Sequence, residues 1–209
     1  YRILPLIALS CNIVVVAGST VRFARAEVLP WRGALLVTAL AAPAAFLGGL
    51  TPVSEATFLT LLGASLVVTA LTMLLPLGIG EGGPSRGAKF MPVVAVPLGY
   101  LAGVVGIGGG IFLAPFLHLT RWNEARAIAA TASLFILVNS LFGLVGQLLK
   151  GGEGRFLAAF DVGLPLIVAV AIGGQTGSLL ALKFLPQRWI RWGTAALTAW
   201  IGARLLFAM

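Results

Sequence analysis

Apolar runs of spanning length, separated by short polar gaps, organise the whole chain. They fall at about 3–21, 33–50, 56–78, 90–118, 127–149, 157–182 and 188–208. A helix rises 1.5 Å per residue, so about 20 residues cross a hydrocarbon layer of ~30 Å. The gaps carry helix-end punctuation. Arg22, Arg25, Glu27, Pro30 and Arg32 form the first, and Thr51, Pro52, Ser54 and Glu55 the second. The third, from Gly78 to Lys89, is the longest and contains Gly80, Gly82, Gly83 and Gly87. The pattern predicts an all-α polytopic membrane protein in two parts, 1–78 and 90–209, with 79–89 as the connecting loop.

The fourth run departs from the others. It holds Pro92, Pro97, Gly99, Gly103, Gly106, the triplet Gly108-Gly109-Gly110, and Pro115. Glycine costs a helix roughly 1 kcal/mol and proline about 3, so a helix, a break near 106–110 and a second short helix are expected. Backbone groups freed inside a membrane need partners, so such breaks occur where protein or a polar cavity surrounds them. A helix broken at mid-membrane depth points to a transport site.

An internal repeat supports the division. Ser10-Cys-Asn12 aligns with Thr131-Ala-Ser133, and the same offset carries Gly18-Ser19 onto Asn139-Ser140. With loop gaps, Ala44 and Gly48 meet Gly173 and Gly177, and Thr51-Pro52 meets Leu185-Pro186. Each half is then a broken or re-entrant helix plus three spanning helices. The first half lacks its broken helix, which is expected to precede Tyr1. Basic residues favour a re-entrant hairpin at 90–118. That arrangement collects Arg22, Arg25, Arg32, Arg86, Lys89, Arg121, Arg126, Lys183, Arg188 and Arg191 on one side. A single crossing would divide the basic residues almost evenly. The hairpin makes the two halves inverted repeats.

Composition agrees with the pattern. Hydrophobic residues are 59% and charged residues 10% of the 209, and mean hydropathy is +1.06, whereas soluble domains are about 25% charged. The net charge of +8 lies between apolar runs, where it sets topology and meets anionic lipid rather than nucleic acid. The single Cys11 excludes an internal disulfide and a multi-cysteine metal site. There is no pair of intramembrane carboxylates, no His/Cys cluster and no nucleophile beside a histidine, so no enzyme is expected and no cofactor is implied. The last run has no lysine for a Schiff base.

Gly106-Ile-Gly-Gly-Gly110-Ile-Phe-Leu-Ala-Pro115, then Ala125-Arg-Ala127 and Thr131-Ala-Ser133, resembles the signature of the TauE/SafE family of sulfite and sulfonate exporters. The second half carries the motif well, and the first half lacks its glycines. The resemblance implies a permease that moves a small anion, sulfite or an organosulfonate among the candidates, across a bacterial inner membrane. A coupling ion, H+ or Na+, and the oligomeric state stay open. Alternating access about a midplane site is the expected mechanism, and an anion channel is the alternative.

The residues are compatible with that chemistry. A helix N-terminus offers free N–H groups and about +0.5 of dipole charge, and Gly108, Gly109 and Gly110 allow close backbone approach. Thr131, Ser133, Asn139 and Ser140 supply neutral donors, with Ser10, Asn12 and Ser19 as repeat counterparts. Simple helix packing by small polar residues is the competing reading. Asp161, His118 and Arg126 are candidates for coupling or anion attraction, against ordinary roles at segment ends.

Overall fold

The computed structural model of the protein describes residues 3–74, 90–183 and 187–207. The loop predicted over 79–89 lies outside them. The described elements are helices: α1 (Leu4–Arg25), α2 (Trp31–Leu50), α3 (Glu55–Leu74), α4 (Met91–Val105), α5 (Gly110–Leu119), α6 (Ala125–Lys183) and α7 (Gln187–Phe207). Local chemistry sets their ends. Pro52 forces Thr51 out of helical geometry, at φ −67° and ψ 120°, which stops α2. The Thr57 N–H then donates to Ser54 Oγ at 3.2 Å, capping α3, whose first turn holds Glu55.

Contacts fix the directions. Gly99 and Gly103 of α4 meet Ala41 and Ala45 of α2, so these helices run parallel. Ala34 packs with Ala130 and Leu134, and Gly49 with Gly143 and Gly146, so the first part of α6 runs the same way. α1 runs against them: Phe23 joins the Ala130 and Leu134 cluster, while Leu9 lies at Gly143. α3 and α7 are antiparallel, with Gly63 at Leu206 and Leu66 at Gly202. Close approach depends on missing side chains. A Cβ on Gly48, Gly99, Gly103 or Gly146 would collide with the backbone of the facing helix, the mode by which small residues bring membrane helices together.

α6 differs from the two separate runs expected at 127–149 and 157–182. Helical backbone continues through Lys150–Arg155, because Gly151, Gly152 and Gly154 weaken a helix without removing a hydrogen-bond donor. At 59 residues a straight α6 would extend about 88 Å, nearly three hydrocarbon thicknesses. It does not extend. Leu9 touches Gly143, yet Ile7 touches Gly163 and Val15 touches Gly174. Along α1 the first limb therefore descends as the second ascends. The axis reverses between Lys150 and Gly163, and two antiparallel limbs result, as the hydrophobic runs require.

α4 and α5 form a hairpin. Val104, at the end of α4, lies against Gly48 near the end of α2, whereas Trp122, just past α5, lies against Gly33 near its start. The chain thus enters and leaves on one side. α4 has 15 residues, about 22 Å, short of the ~30 Å core, and its end lies beside Gly48 of α2, with Gly106 against Pro5 of α1. The hairpin packs through Met91, Ala95, Leu113 and Leu117 against Val37, Ala41, Ile128 and Phe135. Four described helical stretches are long and apolar enough to span, namely Leu4–Arg25, Trp31–Leu50, Glu55–Thr72 and Arg126–Lys150. Leu36, Leu71, Val93, Leu141, Ile172 and Trp200 are exposed on the outside, a surface suited to lipid.

Charge follows this topology. Arg22, Arg25 and Arg32 flank the α1–α2 turn, and Arg121 and Arg126 flank the α5–α6 turn at the same end. At the opposite end Lys150 Nζ donates to the Thr51 carbonyl at 3.1 Å, and the Tyr100 hydroxyl bonds Thr51 Oγ1 at 3.1 Å.

Candidate functional site

The break falls where the glycines predict. Gly106, Gly108 and Gly109 have φ of +80°, +75° and +74°, a left-handed region costly to residues with a Cβ. Gly106 caps the C-terminus of α4, its N–H donating to the Ala102 carbonyl at 2.9 Å. Gly109 caps the N-terminus of α5 with no side-chain hydrogen bond. Ile107, Gly108 and Gly109 lie outside regular helix, and their N–H groups make no hydrogen bond to other described residues. Free amides and the positive end of a ten-residue helix meet at the tip, and together they attract negative charge.

Polar side chains from two other helices close on this tip. A Cβ on Gly108 would lie 2.9 Å from Ser140 Oγ and 3.2 Å from Asn12 Nδ2. Asn12 Nδ2 donates to the Gly106 carbonyl at 3.4 Å. Asn139 shares the face of α6 that looks at the hairpin: Phe135, one turn earlier, touches Gly109, and Gly143, one turn later, touches Gly103. Asn139 and Ser140 are both 0% exposed. Among the described residues, neither amide atom of Asn139, nor Ser140 Oγ, has a hydrogen-bond partner. A buried polar group left unpaired costs about 1–3 kcal/mol, so these atoms are expected to meet a ligand or water.

The remaining predicted residues divide. Ser10, Ser19, Thr131 and Ser133 each turn the hydroxyl back onto a carbonyl of their own helix, at 2.8, 3.0, 2.8 and 3.0 Å. Ser19 also lines a groove of about 240 Å³ between α1 and the second limb of α6, with Arg22 and Val170. Gly110 opens α5, and a Cβ there would strike Ile136. His118 is half-buried near the end of α5, and Arg126 is exposed in the first turn of α6. The side chain of Asp161 lies outside those described.

Three further residues escaped the sequence reading. Among buried threonines, Thr69, Thr120 and Thr131 bond backward to carbonyls, whereas the Thr20 and Thr38 hydroxyls have no partner among the described residues. Nothing in their types distinguishes them. Gln147, 3% exposed, donates to the Gly103 carbonyl at 3.1 Å. A signal for it existed, because it follows Ser140 by two helical turns on the same face.

A glycine-tipped hairpin facing buried amides and hydroxyls is what the sequence comparisons bear on. The family model described as "Sulfite exporter TauE/SafE" matches residues 3–205. The chain belongs to the TauE/SafE family. Within that family's reach, it is 31% identical over 209 residues to the "Probable membrane transporter protein y4hK" of Sinorhizobium fredii, covering 96% of this chain and 81% of that protein. It is 26% identical to the "Probable membrane transporter protein MJ0441" of Methanocaldococcus jannaschii, covering 79% of this chain and 63% of that one. A third TauE/SafE relative is the "Sulfite exporter TauE/SafE family protein 2" of Arabidopsis thaliana, 32% identical over 56% of this chain and 23% of that protein. No solved structure matches. The TauE/SafE membership and these relatives make the chain a multi-pass membrane protein of a transporter family.

Proposed function

We propose that the protein is a secondary transporter that moves a small anion, sulfite or an organosulfonate, across a bacterial inner membrane by alternating access. The observation that carries this reading is the set of buried, unpartnered polar atoms on Asn139 and Ser140 beside the free amides of a helix broken inside the membrane. Neutral donors and a helix terminus stabilise an anion without a buried cation. A tetrahedral or pyramidal oxyanion offers several acceptor oxygens to such donors, and an amide side chain such as Asn139 supplies two. The inverted repeat supports alternating access. α1 packs antiparallel to the first limb of α6, its counterpart, and α3 packs antiparallel to α7. Rocking of one half against the other would expose the tip to each side in turn.

Purified protein heated with sulfite, thiosulfate or a small alkyl sulfonate tests the site. One of these anions is expected to raise the Tm, by linkage between binding and stability, and Asn139→Ala is expected to abolish that rise. A wild-type Tm unmoved by every anion would remove the site. In proteoliposomes the flux is expected to saturate with concentration, whereas linear, unsaturated flux would mark a channel.

A further inference from the structure

The break at residues 106–109 creates a backbone problem beyond the free amides. α4 ends at Val105, so the carbonyls of its last turn lose the i+4 donors that a continuing helix would supply. The Ala102 carbonyl is taken by the Gly106 N–H. The next carbonyl, Gly103, would pair with the N–H of Ile107 in an unbroken helix, and the break removes that donor. It is instead taken by Gln147 Nε2 at 3.1 Å, from a side chain 3% exposed on α6. Gly103 itself is held tightly, because a Cβ there would run into the Ala45 carbonyl of α2. Across the tip, Asn12 of α1 takes the Gly106 carbonyl. Two amide side chains from two helices thus hold carbonyls at the C-terminal end of α4, Gln147 on Gly103 and Asn12 on Gly106.

We infer that Gln147 is a positioning residue for the anion site: by holding the Gly103 carbonyl it sets the height of the glycine tip relative to Ser140 and Asn139. The residue lies two turns beyond Ser140 on the same face of α6, so one rigid stretch of helix carries both the donor that lines the site and the donor that places the tip. This assignment rests on the site proposed above. Gln147 touches backbone three residues before the break and is not itself a ligand group. Its loss shifts the tip without removing a donor from the anion, which weakens binding in the ground and transition states alike and raises KM while leaving the maximal rate largely intact.

The test uses two readouts on the full chain with Cys11 replaced by alanine. A spin label at Ile107→Cys reports the tip directly, independent of any substrate. Sulfite flux in proteoliposomes reports function. Gln147→Met keeps the length of the side chain and removes the donor. It is expected to sharpen the spectrum of the label at 107 and to raise the KM for sulfite roughly threefold to tenfold. Gln147→Glu adds a reversible version. Its protonated carboxyl donates to the Gly103 carbonyl and restores an ordered tip at acidic pH. Its carboxylate cannot donate, so the tip loosens as pH rises, while Gln147→Met shows no such pH dependence. An unchanged label spectrum in Gln147→Met overturns the assignment whatever the transport result. So does a Gln147→Glu tip that ignores pH, or a loss confined to the maximal rate. If sulfite is not carried by the parent protein, the substrate reading fails, and the label still decides the role of Gln147.

Discussion

Ser140 makes the sharpest test at the level of one atom. Its Oγ is fully buried and has no hydrogen-bond partner among the described residues, so the hydroxyl contributes no hydrogen bond to set against a desolvation cost of about 1–3 kcal/mol. Ser140→Ala removes that oxygen and leaves the Cβ in place. The expected result is a Tm unchanged or raised by up to about 10 °C, together with a loss of sulfite affinity of roughly threefold to tenfold. Scanning calorimetry and a flux assay measure the two halves of the prediction. A Tm lowered by several degrees would instead make the hydroxyl a structural group. The opposite case is Thr131, whose hydroxyl already donates to the Ala127 carbonyl. Both are small polar residues in one apolar run, and the sequence treats them alike. Which hydroxyl is used by its own backbone depends on a rotamer and on the neighbouring helix, neither of which residue type encodes.

Among the elements, α6 shows how far hydropathy reads and where it stops. Two spans were legible because 127–149 and 157–182 are each long enough to cross. The expected loop at Lys150–Arg155 was not realised: the backbone there is helical, since glycine weakens a helix but keeps the N–H that proline lacks. Spin labels at Leu141 and Ile172, both exposed, distinguish the two geometries in a Cys11→Ala background. A straight helix would separate these positions by about 46 Å. The folded-back limbs bring both close to the middle of α1, so double electron–electron resonance is expected to return a distance under about 30 Å. A distribution centred near 46 Å would refute the reversal. The α4–α5 break was legible for a stronger reason. Three residues with left-handed φ in four positions are affordable only to glycine, and all three are glycine.

For the whole molecule the decisive quantity is sidedness. The re-entrant hairpin returns the chain to the side it left, so the α1–α2 turn and the α5–α6 turn share one face. Single cysteines at Glu27 and Asn123, both exposed, are expected to react with a membrane-impermeant maleimide from the same side of sealed vesicles. A cysteine at Ser54, also exposed, is expected to react from the other. Labelling of 27 and 123 from opposite sides would turn the hairpin into a crossing and dissolve the inverted arrangement. Sequence by itself determined that the protein lives in a bilayer, how many apolar runs it has, and where the backbone breaks. These are local properties, summed over 20 residues or carried by a single glycine. Only the tertiary structure decided that α6 folds back, that Asn12 and Ser140 rather than Ser10 or Ser133 meet the tip, and that Gln147 takes the Gly103 carbonyl. Those outcomes depend on which helices approach one another and in what register, and contacts between residues 32 to 159 positions apart leave no trace in the order of hydrophobic and polar residues.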